Sequence, residues 1–112
     1  FMLSRFTGLV EKLVVYPERM LANLKMTKGV IFSQMVLLKL VEKGISREDA
    51  YAIVQRNAMK AWQEGIEFKD LLLKDEEVMA RLQPDQLGAA FRIENFLLQV
   101  DYILDRVFGS KP

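Results

Sequence analysis

Histidine and cysteine are both absent from the 112 residues. Without cysteine there are no disulfides, thiolate nucleophiles or thiolate metal sites. Without histidine, no side chain has an ordinary pKa close enough to neutrality to act readily as a general acid or base. A nucleophile at Ser4, Ser33, Ser46 or Ser110 would therefore lack the imidazole that usually activates it. A metal would find only carboxylates and carbonyls, and no oxygen-rich calcium loop of the D-x-D-x-D-G type occurs, so no metal or other cofactor is expected. The six glycines stand singly, which leaves no loop to cradle phosphate. Long apolar runs are missing too. The stretch Val30 to Val41 is interrupted by Ser33, Gln34 and Lys39 and falls short of the roughly 20 residues a bilayer requires. The start FMLSRF has no charged leader followed by an apolar stretch and a cleavage site, so no signal peptide is expected. Charge of one sign is also lacking: 16 basic and 15 acidic side chains interleave to a net +1, without the basic stripe that nucleic acid demands. These absences describe a cytoplasmic chain with neither nucleic acid nor membrane among its partners.

With three prolines and no sustained period-two alternation, no strand is expected. The fold class is all-α, a single compact bundle of about six to seven helices. Apolar residues from Met2 to Val14 recur at three- and four-residue spacing and mark a first helix with no capping residue before it, as in a helix whose upstream half is missing. Tyr16-Pro17 ends it and opens a short second helix, with Glu18 suited to the helix start. Thr27-Lys28-Gly29 breaks the chain before a third helix, Val30 to Val41, whose nearly continuous apolar surface suits burial among neighbours. Gly44 caps its end, and Ser46-Arg47-Glu48-Asp49 resembles a capping box for a fourth helix, Arg47 to Glu64, that folds back on the third and stops at Gly65. Shorter pieces follow: Phe68 to Leu73, Glu76 to Leu82 behind an Asp75 cap, and Gln86 to Ala90 after a turn at Gln83-Pro84-Asp85. A last helix from Phe96 to Phe108, capped by Asn95, ends at Gly109.

Little in this pattern carries chemistry. The acidic trio Asp75, Glu76 and Glu77 is read as helix capping, because adjacent carboxylates at a helix start favour the dipole and solvent. Tyr51, Met59 and Trp62 are read as core, together with Ala50, Ile53, Val54, Ala58 and Ala61 of the fourth helix. Ser33 and Gln34 stand out as polar groups on the most apolar helix, where each must find a hydrogen-bond partner, whether a neighbouring helix, a turn carbonyl or a bound substrate.

Several motifs then occur in a recognisable order: VYPERM at Val15 to Met20, Asn23-Leu24, Thr27 and Gly29, and FSQ at Phe32 to Gln34. REDAY, VQRNAMKAW, FKDLLLKDEEV and the terminal VDYILDRVF follow. Together they resemble the C-terminal domain of the adenylosuccinate lyase family, within the fumarase/aspartase superfamily. The resemblance implies a helical domain, residues 15–112, behind the tail of a central-domain helix, residues 1–14. It implies a cytoplasmic homotetramer built round a long-helix bundle, whose partner for this domain is the rest of the lyase chain. It also implies purine biosynthesis, where fumarate is eliminated from adenylosuccinate to give AMP and from SAICAR to give AICAR. The family's serine base sits on a signature loop, assisted by histidines, and neither is present here, so no catalytic residue carries over and the chain alone is expected to be inactive. Arg19, Ser33 and Gln34 are the candidates for lining the active-site entrance. Two other readings stand beside this one: the C-terminal domain of a carboxymuconate cycloisomerase-like protein, and a freestanding helical interaction module. Isolated from a parent, the Met2 to Val14 stripe should drive self-association.

Overall fold

Ser46 and Gly65 bracket the longest helix of the molecule. In the computed structural model, which describes residues 1–109, the Ser46 hydroxyl accepts the Asp49 N–H at 3.1 Å and donates to the Asp49 carboxylate at 2.8 Å. Gly65 closes the other end at φ +67°, a left-handed conformation that a Cβ would strain. Eight α-helices are described: α1 Met2–Glu11, α2 Pro17–Lys25, α3 Ser33–Glu42, α4 Arg47–Glu64, α5 Phe68–Lys74, α6 Glu76–Met79, α7 Pro84–Ala90 and α8 Val100–Phe108. Single 3-10 turns over Val30–Phe32 and Ile93–Phe96 precede α3 and α8, and there is no strand among the described residues. The all-α expectation holds.

The core is built by α3 to α7. Helix α3 contributes Val36, Leu37 and Leu40 and packs antiparallel on α4, which presents Ala50, Ile53, Val54, Asn57 and Ala61. Ala50 and Ala61 are both fully buried in this cluster. Phe68, Leu71 and Leu72 of α5 close one side, and Val78, Leu82, Leu87 and Ala90 complete the cluster. Phe68, Leu40, Leu72 and Leu87 are among its fully buried large side chains, each worth about 1.5–3 kcal/mol of transfer free energy.

Helices α1, α2 and α8 bury no residue at all. The molecule measures 57 × 32 × 24 Å with a radius of gyration of 18.8 Å, against roughly 13 Å for a compact chain of this length. A packed body thus carries a two-helix arm at one end of the chain and a one-helix arm at the other. The arm α1–α2 joins the body through Lys28 and Gly29, both left-handed at φ +52° and +81°. The Lys28 carbonyl accepts the Phe68 N–H at 2.8 Å, and a Cβ on Gly29 would meet the Phe91 ring at 3.2 Å.

Several expectations need correction. Tyr51, Met59 and Trp62 are not core: they keep 56%, 51% and 71% of their surface exposed. Tyr51 and Trp62 each follow a buried alanine by one residue, and one residue is a rotation of about 100° round a helix, enough to leave the inward stripe. The third helix is not enclosed on all sides, since Leu38 and Val41 face outward. Its first three residues form a 3-10 turn instead. The first helix ends at Glu11 rather than Val14. The last helix starts at Val100, because Asn95 spends its amide on the Ala89 carbonyl, 2.8 Å away, at the end of α7 instead of capping α8. Helix α7 begins at Pro84 itself, with the Gln86 side chain accepting the Gln83 N–H.

Candidate functional site

Ser33 and Gln34 open the first turn of α3 where it faces α4. The structure places them together along a groove of about 300 Å3 whose opposite wall is the outer face of α4, with Arg47, Tyr51 and Gln55 at four-residue spacing. Ser33 is half-buried and Gln34 exposed, and neither side chain hydrogen-bonds to the protein among the described residues. No buried side-chain nitrogen or oxygen among the described residues lacks a partner, so these two groups are left to solvent or to a ligand. Two hydroxyls, two amides and a guanidinium above an apolar floor of Leu37 and Val54 can donate to a carboxylate, a carbonyl or a phosphate. No carboxylate or imidazole stands among the lining side chains. Arg19 does not join them: it lines a separate depression of about 470 Å3 with Val15 to Glu18, where α1 passes into α2.

The acidic trio is divided in role. One Asp75 oxygen accepts the Glu77 N–H at 3.0 Å and caps α6, as the sequence suggests. The other accepts from Arg56 and from the Asn57 amide, each at 2.7 Å, tying the middle of α4 to the α5–α6 junction. Burial pushes the Asp75 carboxyl up, but the hydrogen bonds from Asn57 and Arg56, the Arg56 charge and the Val78 N–H outweigh it and hold the group below the usual carboxylate range. Hydrogen bonds to Asp75 and Glu77 raise Arg56 in turn. Asn57 also donates to the Ile53 carbonyl at 2.9 Å, so both N–H groups of this buried amide are used. With both Asp75 oxygens engaged, this is a structural tie between helices.

A larger groove, of about 830 Å3, runs between the arm helix α2 and the body. Leu21 and Leu24 form one wall, Ile31 and Ile93 the other, over a floor of Phe32 and Phe91, whose tilted rings lie 5.3 Å apart, with the buried Phe68 ring 5.8 Å from Phe91. It went unnoticed in the sequence because its walls come from residues separated by some seventy positions. Arg47, Tyr51 and Gln55 stand at four-residue spacing, but nothing in the sequence aims them at Ser33. No group of three or more acidic side chains among the described residues could hold a metal ion. None of the described helices is long and apolar enough to cross a membrane. Ser110 lies outside the described residues.

The described residues form a helical module with two grooves on its surface. Residues 29–107 match the family model described as "Adenylosuccinate lyase C-terminus", and the chain belongs to that family. It is 45% identical to the adenylosuccinate lyase of Thermotoga maritima over 106 residues, which cover 95% of this chain and 25% of that protein. It is 40% identical to the Bacillus subtilis enzyme over 107 residues, covering 96% and 25%. Against the Helicobacter pylori J99 enzyme the identity is 44% over 119 residues, covering 97% and 27%. The chain thus spans about a quarter of the length of the curated relatives it matches.

Proposed function

We propose that this chain serves as the C-terminal domain of a lyase that releases fumarate from adenylosuccinate and from SAICAR in purine biosynthesis, and that it forms one wall of the active-site entrance. Residues 1–14 are then the tail of a central-domain helix and residues 15–112 the domain proper, in a cytoplasmic homotetramer. The observation that carries the reading is the groove at Ser33 and Gln34, whose unengaged donors suit the carboxylates and phosphate of such substrates. The proton abstraction and the protonation of the departing nitrogen need groups this groove does not hold, so the chemistry belongs to other segments and the isolated chain is inactive. Arg19 is kept as a third contact, from the arm.

In a full-length enzyme carrying this domain, Gln34→Ala and Ser33→Ala should raise KM several-fold while leaving kcat nearly unchanged, the signature of lost uniform binding. Unaltered KM for both variants and for Arg19→Ala would remove the entrance reading. The isolated chain should release no fumarate from adenylosuccinate.

The second reading, an interaction module, draws on the exposed stripe of α1, where Leu3, Phe6, Leu9 and Val10 face water. Self-association through this stripe should weaken in Phe6→Glu, as read by sedimentation. An unchanged mass distribution would dismiss the stripe as the contact.

A further inference from the structure

Two consecutive left-handed residues join α2 to the body. Lys28 stands at φ +52° and Gly29 at φ +81°, and Lys28 is the one non-glycine residue with positive φ among those described. That conformation is unfavourable for a residue with a Cβ and persists only where the surroundings hold it. Here they do. The carbonyls of Thr27, Lys28 and Gly29 accept the N–H groups of Val30, Phe68 and Phe32 at 3.0, 2.8 and 3.1 Å. On the arm side, the Lys28 N–H donates to the Lys25 carbonyl at 3.1 Å and the Thr27 hydroxyl to the Leu24 carbonyl at 3.0 Å, which closes the last turn of α2. On the body side, the Lys28 carbonyl supplies an acceptor to the start of α5, which no side chain caps. Gly29 is packed as well. A Cβ there would lie 3.2 Å from the Phe91 ring and 3.8 Å from the Phe68 Cβ, whereas at the left-handed Gly44, Gly65 and Gly109 it would meet nothing within 4 Å.

We infer that Thr27 to Gly29 form a clamped elbow, which sets the direction of the last turn of α2 against the body although α2 buries none of its side chains. A helix of nine residues is marginal alone in water, so its direction comes from its attachment. The elbow works through the backbone: the Lys28–Glu67 pair, at 3.9 Å and half-exposed on both sides, adds little. The clamp needs only residues 24 to 32, 68 and 91, whatever lies against the outer faces of α1 and α2. Arg19 stands on the arm side of the elbow and Ser33 and Gln34 on the body side, so a fixed angle also sets how the three stand to one another. That consequence rests on the entrance reading; the clamp does not, and its test uses no activity.

The absence of native cysteine allows a direct test. Asn23→Cys in the last turn of α2 and Gln63→Cys on α4, both exposed positions, carry nitroxides in one chain. The labelled chain is diluted with unlabelled chain, so that double electron–electron resonance reads only the distance within a molecule. The parent should give a single narrow distribution. Lys28→Asn should keep its width, because asparagine tolerates the left-handed region. Thr27→Gly combined with Lys28→Gly, which frees the elbow without adding bulk, should make the distribution about twice as broad at unchanged helicity. Gly29→Ala, which sets a Cβ against Phe91, should broaden or shift it. Equal widths in the parent and the double glycine variant would overturn the proposal, whether or not Gly29→Ala folds. So would a folded Gly29→Ala chain with the parent's distance and width. Broadening by Lys28→Asn as large as that of the glycine pair would assign the direction to the lysine side chain and overturn the proposal as well.

Discussion

Phe68 and Phe6 are the same side chain on short amphipathic helices, yet Phe68 is fully buried and Phe6 keeps 63% of its surface in water. The difference lies in tertiary placement. Helix α5 is clasped by α4, α6 and α7 and begins where the Phe68 N–H meets the Lys28 carbonyl. Helix α1 has no side-chain cap and buries nothing. Amphipathicity alone therefore does not say whether a helix packs within its own chain or offers its stripe elsewhere. An isolated helix of ten residues is marginal in water. The apolar stripes of α1 and α8 are left facing water, while those of α3 to α7 are the source of stability.

The contrast is sharpest in paired truncations. Phe68→Ala should cost about 3–5 kcal/mol in urea unfolding, much of the stability of so small a body, whereas Phe6→Ala should stay within about 0.5 kcal/mol. Equal losses would erase the distinction between body and arms. Asp75→Asn should cost about 1–3 kcal/mol near neutral pH, because Arg56 and Asn57 lose a charged acceptor. The pH dependence has a definite sign. A carboxyl held low in the folded state contributes stability that is fully present above its unfolded pKa of about 3.9 and is lost as pH falls through the folded value. Acid titration of stability should therefore be steeper in the parent than in Asp75→Asn, and parallel curves would contradict the tie. Ser46→Ala, removing the α4 cap, should cost about 1 kcal/mol in the same assay, and no change would mean the hydroxyl adds nothing to the backbone.

Local signals carried much of the fold. Ser46 and Asp75 mark helix starts through bonds to residues three and two positions away, and Gly65 marks a helix end through its left-handed φ, so α4 and the start of α6 were readable from spacing. Long-range geometry was not. Asn57 is buried because its acceptor Asp75, eighteen positions on, folds back over α4. Trp62 is exposed because no neighbour covers its side of α4, which its residue type does not reveal. Ser33 and Gln34 were singled out by their apolar surroundings, but only the α3–α4 pairing shows that they face Arg47 and Tyr51, and that Arg19 lies elsewhere.

Amide hydrogen exchange on the chain at a series of concentrations tests the central claim most directly. Protection in α3 to α7 should be high and independent of concentration, while α1 and α8 should exchange fast when dilute. Helices α1 and α8 protected as strongly as α4 at the lowest concentration would contradict the division of this molecule into a self-sufficient body and exposed arms.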